Sequence, residues 1–402
     1  MHAVAHWAAS HPRRDLLVAT ALLVFGILLA LPYTGPDVRW APDSLFYLAQ
    51  KLEVQGVDRS TALREVFESE SAAQLKREER GLPPALRRID NPSWRTYSSR
   101  FYRRRWTVPV LAAALEPLVG KRSIEYPSLL GWALLAPLLY LLLRRRFAPG
   151  LAAAVSVFCT LLPPIFFVGP VPSTDLLALS LLVAGLLFAW QVRTSGLRWL
   201  PAWAVVVLIL SFTRDANIVL IAAVGWLALR ERSRRTVAIL ATGVLASLPA
   251  PLLFLAPFRE NLAYTFNDYR IPTDTSWGSI LGEYPQRAAT VLRYDLEYPL
   301  ETAVPVLAFA MGILVIVGLV KLYARSDGDD PFLILARGAG VGSLVTVLIA
   351  MNYSNGRLEL VLIPSIATGL ALVGERVAAR VRDRATREPA PAPSGGPRHR
   401  AH

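Results

Sequence analysis

The grouping in this sequence best suited to chemistry is Trp40-Ala41-Pro42-Asp43-Ser44-Leu45-Phe46-Tyr47. It follows the first apolar run, which ends near Pro32-Tyr33, and so falls where a chain leaves a bilayer and meets water. Pro42 favours a turn, and Asp43-Ser44 can cap a helix continuing through Leu45, Leu48 and Leu52. One reading is that cap alone. The other is a carboxylate held at a membrane surface as a general base toward a lipid-borne substrate.

Further polar residues recur beside apolar runs. Pro172-Ser173-Thr174-Asp175 opens one, Thr213-Arg214-Asp215 joins two, and Asn352-Tyr353-Ser354-Asn355-Gly356-Arg357-Leu358-Glu359 joins two more. A hydrophilic stretch at 259–300 adds Arg270 among tyrosines and tryptophans. Ionisable groups beside spans are costly and mark function. Each also has an ordinary role. Asp175 suits a helix start, Arg214 with Asp215 suits an interfacial pair with a snorkelling arginine, and Arg357 and Glu359 suit a loop. The aromatic residues of 264–298 suit an interfacial belt. What sets them apart is that one topology brings all of them to one side.

That topology follows from composition and charge. The chain has 402 residues, 53% of them hydrophobic, with repeated runs near the roughly 20-residue spanning length. This predicts an all-α polytopic membrane protein with about ten spans, near 16–33, 125–143, 148–168, 174–192, 198–213, 216–230, 236–257, 302–323, 332–351 and 358–375. The net charge of +13 sits largely in short loops and the tail, where it sets orientation and does not call for nucleic acid. Arg13-Arg14 ahead of the first run, with no small-residue cleavage site after it, predicts an uncleaved first span with a cytoplasmic N-terminus. Val108–Val119 is apolar but short and contains Glu116 and Pro117. Placed in the interface, it leaves Arg144–Arg146, Arg193–Arg198, Arg230–Arg235, Lys321–Arg325 and the tail from Arg376 all inside.

Residues 1–384 then form one membrane domain with a large first outer loop at 34–106 and a second outer loop at 259–300. A surface-lying helix is expected from Ser60 to about Arg80. The Pro-, Ala- and Arg-rich tail at 385–402 reads as disordered and cytoplasmic. Cys159, the single cysteine, forms no intrachain disulfide and supplies no metal site.

The order of these features resembles the GT-C-type glycosyltransferases, multi-span enzymes that use polyprenyl-phosphate sugars. The resemblance covers about residues 10–375: a span, an outer loop opening on Asp43, the Arg103-Arg104-Arg105 approach to Val108–Val119, Thr174-Asp175-Leu176, Thr213-Arg214-Asp215, and Arg357 ahead of a span containing Pro364. The family's first outer loop carries an acidic pair followed by an aromatic residue. Asp43 matches the first acid and Tyr47 the aromatic residue, whereas Ser44 stands where the second acid would be.

The resemblance implies transfer of a sugar from a polyprenyl-phosphate donor to a glycan, lipid or protein acceptor on the outer face of the cell membrane. Asp43 would be the catalytic base, and Tyr47, Asp175, Arg214, Asp215, Arg270 and Arg357 would contact substrate. Arginines would meet the charge growing on the departing lipid phosphate. No metal ligands are assigned, and a divalent metal is a candidate cofactor. Two other classes stay open: a lipid or small-molecule transporter, suggested by Pro163-Pro164 inside the third span, and an inactive relative serving as an assembly subunit, suggested by Ser44.

Overall fold

A computed structural model of the chain describes residues 12–34, 38–81, 87–254, 258–297, 305–324, 330–350 and 359–387. Its regular elements are helices, and no strand occurs among the described residues. Six helical segments are long and apolar enough to cross a membrane: Pro12–Tyr33, Tyr126–Leu143, Asp175–Ser195, Arg234–Leu253, Pro331–Ile349 and Leu360–Arg384. Three shorter apolar helices accompany them, Pro149–Thr160, Leu197–Ser211 and Ala310–Ala324.

The bundle forms where glycines let backbones touch, the usual basis of packing between apolar helices. In α1 (Pro12–Ala30), a Cβ on Gly26 would fall 2.5 Å from the Ala133 carbonyl oxygen of α7 (Tyr126–Leu143). Gly131 of α7 lies equally close to the Leu176–Leu177 backbone of α10 (Asp175–Ser195), and Ser180 donates to the Gly131 carbonyl. Gly338 and Gly342 of α18 (Pro331–Ala350) rest on Val219, Ala222 and Ala223 of α12 (Asn217–Glu231). Gly369 of α19 (Ile363–Arg387) meets Gly318 of α17 (Pro305–Ala324) in the same way. Away from these seams, α1 exposes Leu16, Leu17, Val24 and Leu28, a surface that hydrocarbon would cover better than water.

Prolines shorten several of the expected spans. The run at 148–168 divides into α8 (Pro149–Thr160) and α9 (Pro163–Val168), because Pro163-Pro164 can start a helix but cannot continue one. The run at 236–257 divides into α13 (Arg234–Ser247) and α14 (Pro249–Leu253), and α11 (Leu200–Ser211) is short. In contrast, α19 is 25 residues long and runs to Arg387, beyond the expected start of a disordered tail at 385. The rest of that tail lies outside the described residues.

Charges divide between two ends of the bundle. At one end Asp15 accepts from Arg144 (2.8 Å) and Tyr140 (2.7 Å), and Arg146 bridges Asp330 (2.8 Å) and Glu375 (2.9 Å). There too Arg193 pairs with Glu231 (2.7 Å), and Arg235 donates to the Arg193 carbonyl (3.1 Å). These contacts gather the starts of α1, α13 and α18 with the ends of α7, α10 and α12. The opposite end holds Tyr33 against Trp132 and the starts of α10 and α12.

Over that second end the segment expected as the first outer loop, with the helix that follows it, folds as a layer with its own core. It comprises α2 (Pro42–Val54), α3 (Arg59–Phe67), α4 (Glu70–Glu79), α5 (Pro92–Tyr102) and α6 (Thr107–Val119). Phe46 stacks on Tyr102 at 4.6 Å and tilts against Phe67 and Trp94. The helix expected from 60 to 80 is two helices. Ser69 breaks it by capping the second, its hydroxyl accepting from the Ala72 N–H and donating to the Val66 carbonyl. α6 has 13 residues and is about 20 Å long, short of the ~30 Å hydrocarbon thickness. The stretch at 259–300 docks on this layer through α15 (Phe258–Phe266): Tyr264 stacks on Phe101 at 4.9 Å, and the Trp94 indole donates to the Tyr269 carbonyl at 2.7 Å.

The glycine seams make a direct prediction. Gly131→Ala puts a Cβ about 2.3 Å from the Leu177 nitrogen, a backbone atom that cannot turn aside. It should destabilise the bundle by about 1–3 kcal/mol or more. Gly225→Ala, whose nearest neighbour would be 3.8 Å away, should be neutral or slightly stabilising. Thermal unfolding of both variants in one detergent checks the pair.

Candidate functional site

Asp43 stands in the first turn of α2, after Pro42, where the helix dipole favours a carboxylate. The position is held by its neighbour Ser44, which is fully buried. The Ser44 hydroxyl accepts from the Ala41 N–H (3.3 Å) and donates to the Pro172 carbonyl (2.7 Å). Ser44 thus locks the start of α2 onto the loop leading into α10. The residue at the expected second acid position is a structural fastener in this chain.

Tyr102, at the end of α5, donates its hydroxyl to Asp43 Oδ1 at 2.6 Å. Burial holds the Tyr102 phenol well above its ordinary pKa, with the Asp43 charge adding to the effect, so it remains a proton donor. Tyr47 lies one turn beyond Asp43 and is 1% exposed. Its hydroxyl accepts from Arg105 (2.8 Å) and lies 3.4 Å from that of Thr174. Tyr47 therefore braces the site from beneath and presents no ring face for a sugar to stack on.

Two ion pairs complete the cluster, and they cross. Arg214 pairs with Asp175, which is 3% exposed, and not with its sequence neighbour Asp215. Asp215 pairs with Arg104. The first pair ties the start of α12 to the start of α10, and the second draws the end of α5 down onto the bundle. Arg105 follows α5 and lies 5.2 Å from the Tyr102 ring centre. Burial opposes its charge, but Tyr47, Tyr102, Asp43 and Asp215 outweigh burial and raise its pKa above the ordinary arginine value. Its Nε is buried with no hydrogen-bond partner among the described residues. A buried, unsatisfied donor on a firmly charged arginine beside a carboxylate is what an incoming oxyanion would complete.

Asp43, Tyr47, Asp175, Arg214 and Asp215 therefore come together as expected. Arg270 does not join them: it sits in an exposed turn after Asn267, with its backbone N–H bonded to the Asn267 carbonyl. Arg357 lies outside the described residues. Tyr102, Arg104, Arg105 and Thr174 also belong to the cluster; the last three stand in the motifs of the resemblance without an assigned role, and Tyr102 stands in none. The signal for them was the alternation of aromatic and basic residues in Arg100–Trp106, which reads as a charged approach to the membrane until α5 is placed. Among the described residues no group of three or more His, Cys, Asp or Glu side chains could hold a metal ion. Each aspartate of the cluster is instead matched to a tyrosine or an arginine.

The opposite face of α2 borders a separate cleft of about 800 Å³, lined by Trp40, Lys51, Glu65, Arg77, Glu116 and Glu125 among others. Lys51 pairs there with Glu116 at 3.0 Å. Burial pushes the Glu125 carboxyl from its ordinary 4.5 up to about 7, against the opposing pull of Arg122 3.7 Å away. Between those two values the folded chain retains a proton that the unfolded chain has lost. Stability should fall as pH rises through that window and stay low above it. Glu125→Gln should abolish this fall and raise the unfolding midpoint at pH 8, with little change near pH 4.5, which thermal melts across pH would measure.

No protein-family model matches this sequence, and comparison with curated proteins finds no significant match.

Proposed function

We propose that this chain is an integral membrane glycosyltransferase of the GT-C type, moving a sugar from a polyprenyl-phosphate donor to an acceptor with Asp43 as base. The observation that carries the reading is the cluster itself. A carboxylate with its own tyrosine donor stands beside an arginine with an unsatisfied buried donor, at one end of an apolar bundle. In the proposed step the acceptor hydroxyl gives its proton to Asp43 as its oxygen attacks the anomeric carbon. The bond from that carbon to the phosphate oxygen breaks, and the lipid phosphate leaves with the electron pair. Arg105 is the leading cation for that oxyanion, with Arg214 behind it because Arg214 already serves Asp175. The lipid chain would lie against the exposed apolar faces of the bundle, and the acceptor, a glycan, lipid or protein, would approach from the side of the first outer loop.

The accompanying topology has about ten crossings, six made by the long helices and the rest by shorter or proline-broken ones. Supporting it are the contacts that place Arg144, Arg146, Arg193 and Arg235 at the end opposite Asp43. That arrangement puts both ends of the chain in the cytoplasm by the positive-inside rule. Single cysteines in a Cys159→Ala background should label from outside at positions 70 and 284 and from inside at 145 and 234. Outside labelling at 145 would overturn the orientation.

Asp43→Asn keeps size and hydrogen bonding but removes the basicity, so sugar transfer from a polyprenyl-phosphate donor should fall by about 10²–10⁴. Binding of the lipid donor should persist. Transfer at the wild-type rate would leave Asp43 as a first-turn acid that serves only the helix. The break at Pro163-Pro164 supports a second reading, a lipid transporter with a discontinuous span. It would be favoured by donor movement across proteoliposome membranes without any transfer.

A further inference from the structure

The face of α5 turned away from the Asp43 cluster carries a second concentration of charge, of one sign. A cleft of about 530 Å³ between α3 and α5 is lined by Arg59, Arg64, Arg95, Arg100 and Arg103, with Ser60, Thr96 and Ser99 supplying hydroxyls and no carboxylate in the lining. Two of the arginines are engaged: Arg95 donates to the Ile89 carbonyl (2.8 Å), and Arg100 pairs with Glu260 (3.3 Å) over the Tyr97 ring. Arg59, Arg64 and Arg103 have no carboxylate within ion-pair distance among the described residues. Arg59 is half-buried and donates to the Ser99 hydroxyl at 2.8 Å. Its pKa is lowered first by burial and then by the Arg103 cation. Glu53 opposes this, and burial shifts its own carboxyl upward against the pull of Arg59 and Arg103. Like charges crowded into a cleft with no ion-paired acid cost free energy that a bound anion would recover.

We propose that the cleft between α3 and α5 is a binding site for a small phosphate-class anion, a diphosphate or a phosphorylated headgroup, distinct from the Asp43 cluster. Guanidinium forks are suited to several phosphate oxygens at once, and they carry the site because the Ser60, Thr96 and Ser99 hydroxyls already donate to Asp58, the Pro92 carbonyl and the Thr96 carbonyl. The volume fits a small group. The division of the basic run supports separate sites. Arg103 faces this cleft, while Arg104 binds Asp215 and Arg105 binds Tyr47 on the other side. Because α5 also carries Tyr102, an anion seated here would stiffen the helix that holds Asp43.

The test uses the full chain purified in nonionic detergent and titrated calorimetrically with sodium pyrophosphate. A parallel arm measures thermal stabilisation in phosphatidylcholine nanodiscs with and without phosphatidic acid. If the ligand is soluble, pyrophosphate should bind saturably. Arg59→Gln with Arg103→Gln should weaken it at least about tenfold, as expected for loss of charge-assisted hydrogen bonds. Arg230→Gln, an exposed arginine at the opposite end of the bundle, should leave it unchanged. Arg64→Gln with Arg103→Gln, both at exposed positions, should weaken it similarly and guards against a folding defect. If the ligand is a lipid headgroup, only phosphatidic acid should stabilise the wild type, and the same variants should lose that effect. Binding and stabilisation that are absent in the wild type, unchanged in both double variants, or removed by Arg230→Gln alone would overturn the site.

Discussion

The pairing of Asp175 with Arg214 is the interaction on which the rest of this end of the molecule depends. A carboxylate at 3% exposure, at the mouth of an apolar bundle, must have a cation, and the cation it takes comes from the start of another helix. That choice leaves Asp215 without its sequence neighbour, and Arg104, just after α5, supplies the replacement. Drawing Arg104 down brings the end of α5 with it, which sets Tyr102 against Asp43 and Arg105 against Tyr47. Four segments distant in sequence are thereby joined through two buried or half-buried charge pairs. Removing one partner of such a pair costs far more than the pair itself contributes, so the cluster is held together largely by the cost of breaking it.

Three groups of arginines occupy three physical settings. At the end opposite Asp43, Arg144, Arg146 and Arg193 are matched by Asp15, Asp330, Glu375 and Glu231, and they clamp helix ends. In the Asp43 cluster, Arg104 and Arg214 are matched to aspartates, and Arg105 is held by tyrosines with one donor left over. In the cleft between α3 and α5, three arginines face one another without an ion-paired acid. Satisfied pairs fix geometry, whereas unsatisfied cations create an affinity, and only the last two settings have any of the latter. A total charge of +13 does not distinguish them.

Much of the architecture was legible in the sequence because it is encoded locally. Apolar run length announces spans and the spacing of basic clusters announces which helix ends lie together, whereas the divisions at Pro163 and Pro249 were not expected. The collection of Asp43, Asp175, Arg214 and Asp215 at one end follows from the same counting. The helix expected at 60–80 was divided because the capping strength of Ser69 against helix continuation depends on what its hydroxyl meets. Arg270 looked like a site residue because it lies among aromatic residues, yet the turn after α15 points it to solvent while its neighbour Tyr269 docks.

By itself the sequence determined that this is a helical chain with spans of membrane length and polar, chemically capable residues at their ends. Hydrophobicity and helix caps act over a few residues and need no knowledge of the fold. Only the tertiary structure decided the partners: that Arg214 serves Asp175, that Ser44 is a buried fastener, that Tyr47 is a brace, and that Tyr102 and Arg105 complete the site. An ion pair or hydrogen bond is chosen by which groups are buried together, and a buried group takes whatever partner the packing of distant helices brings within reach.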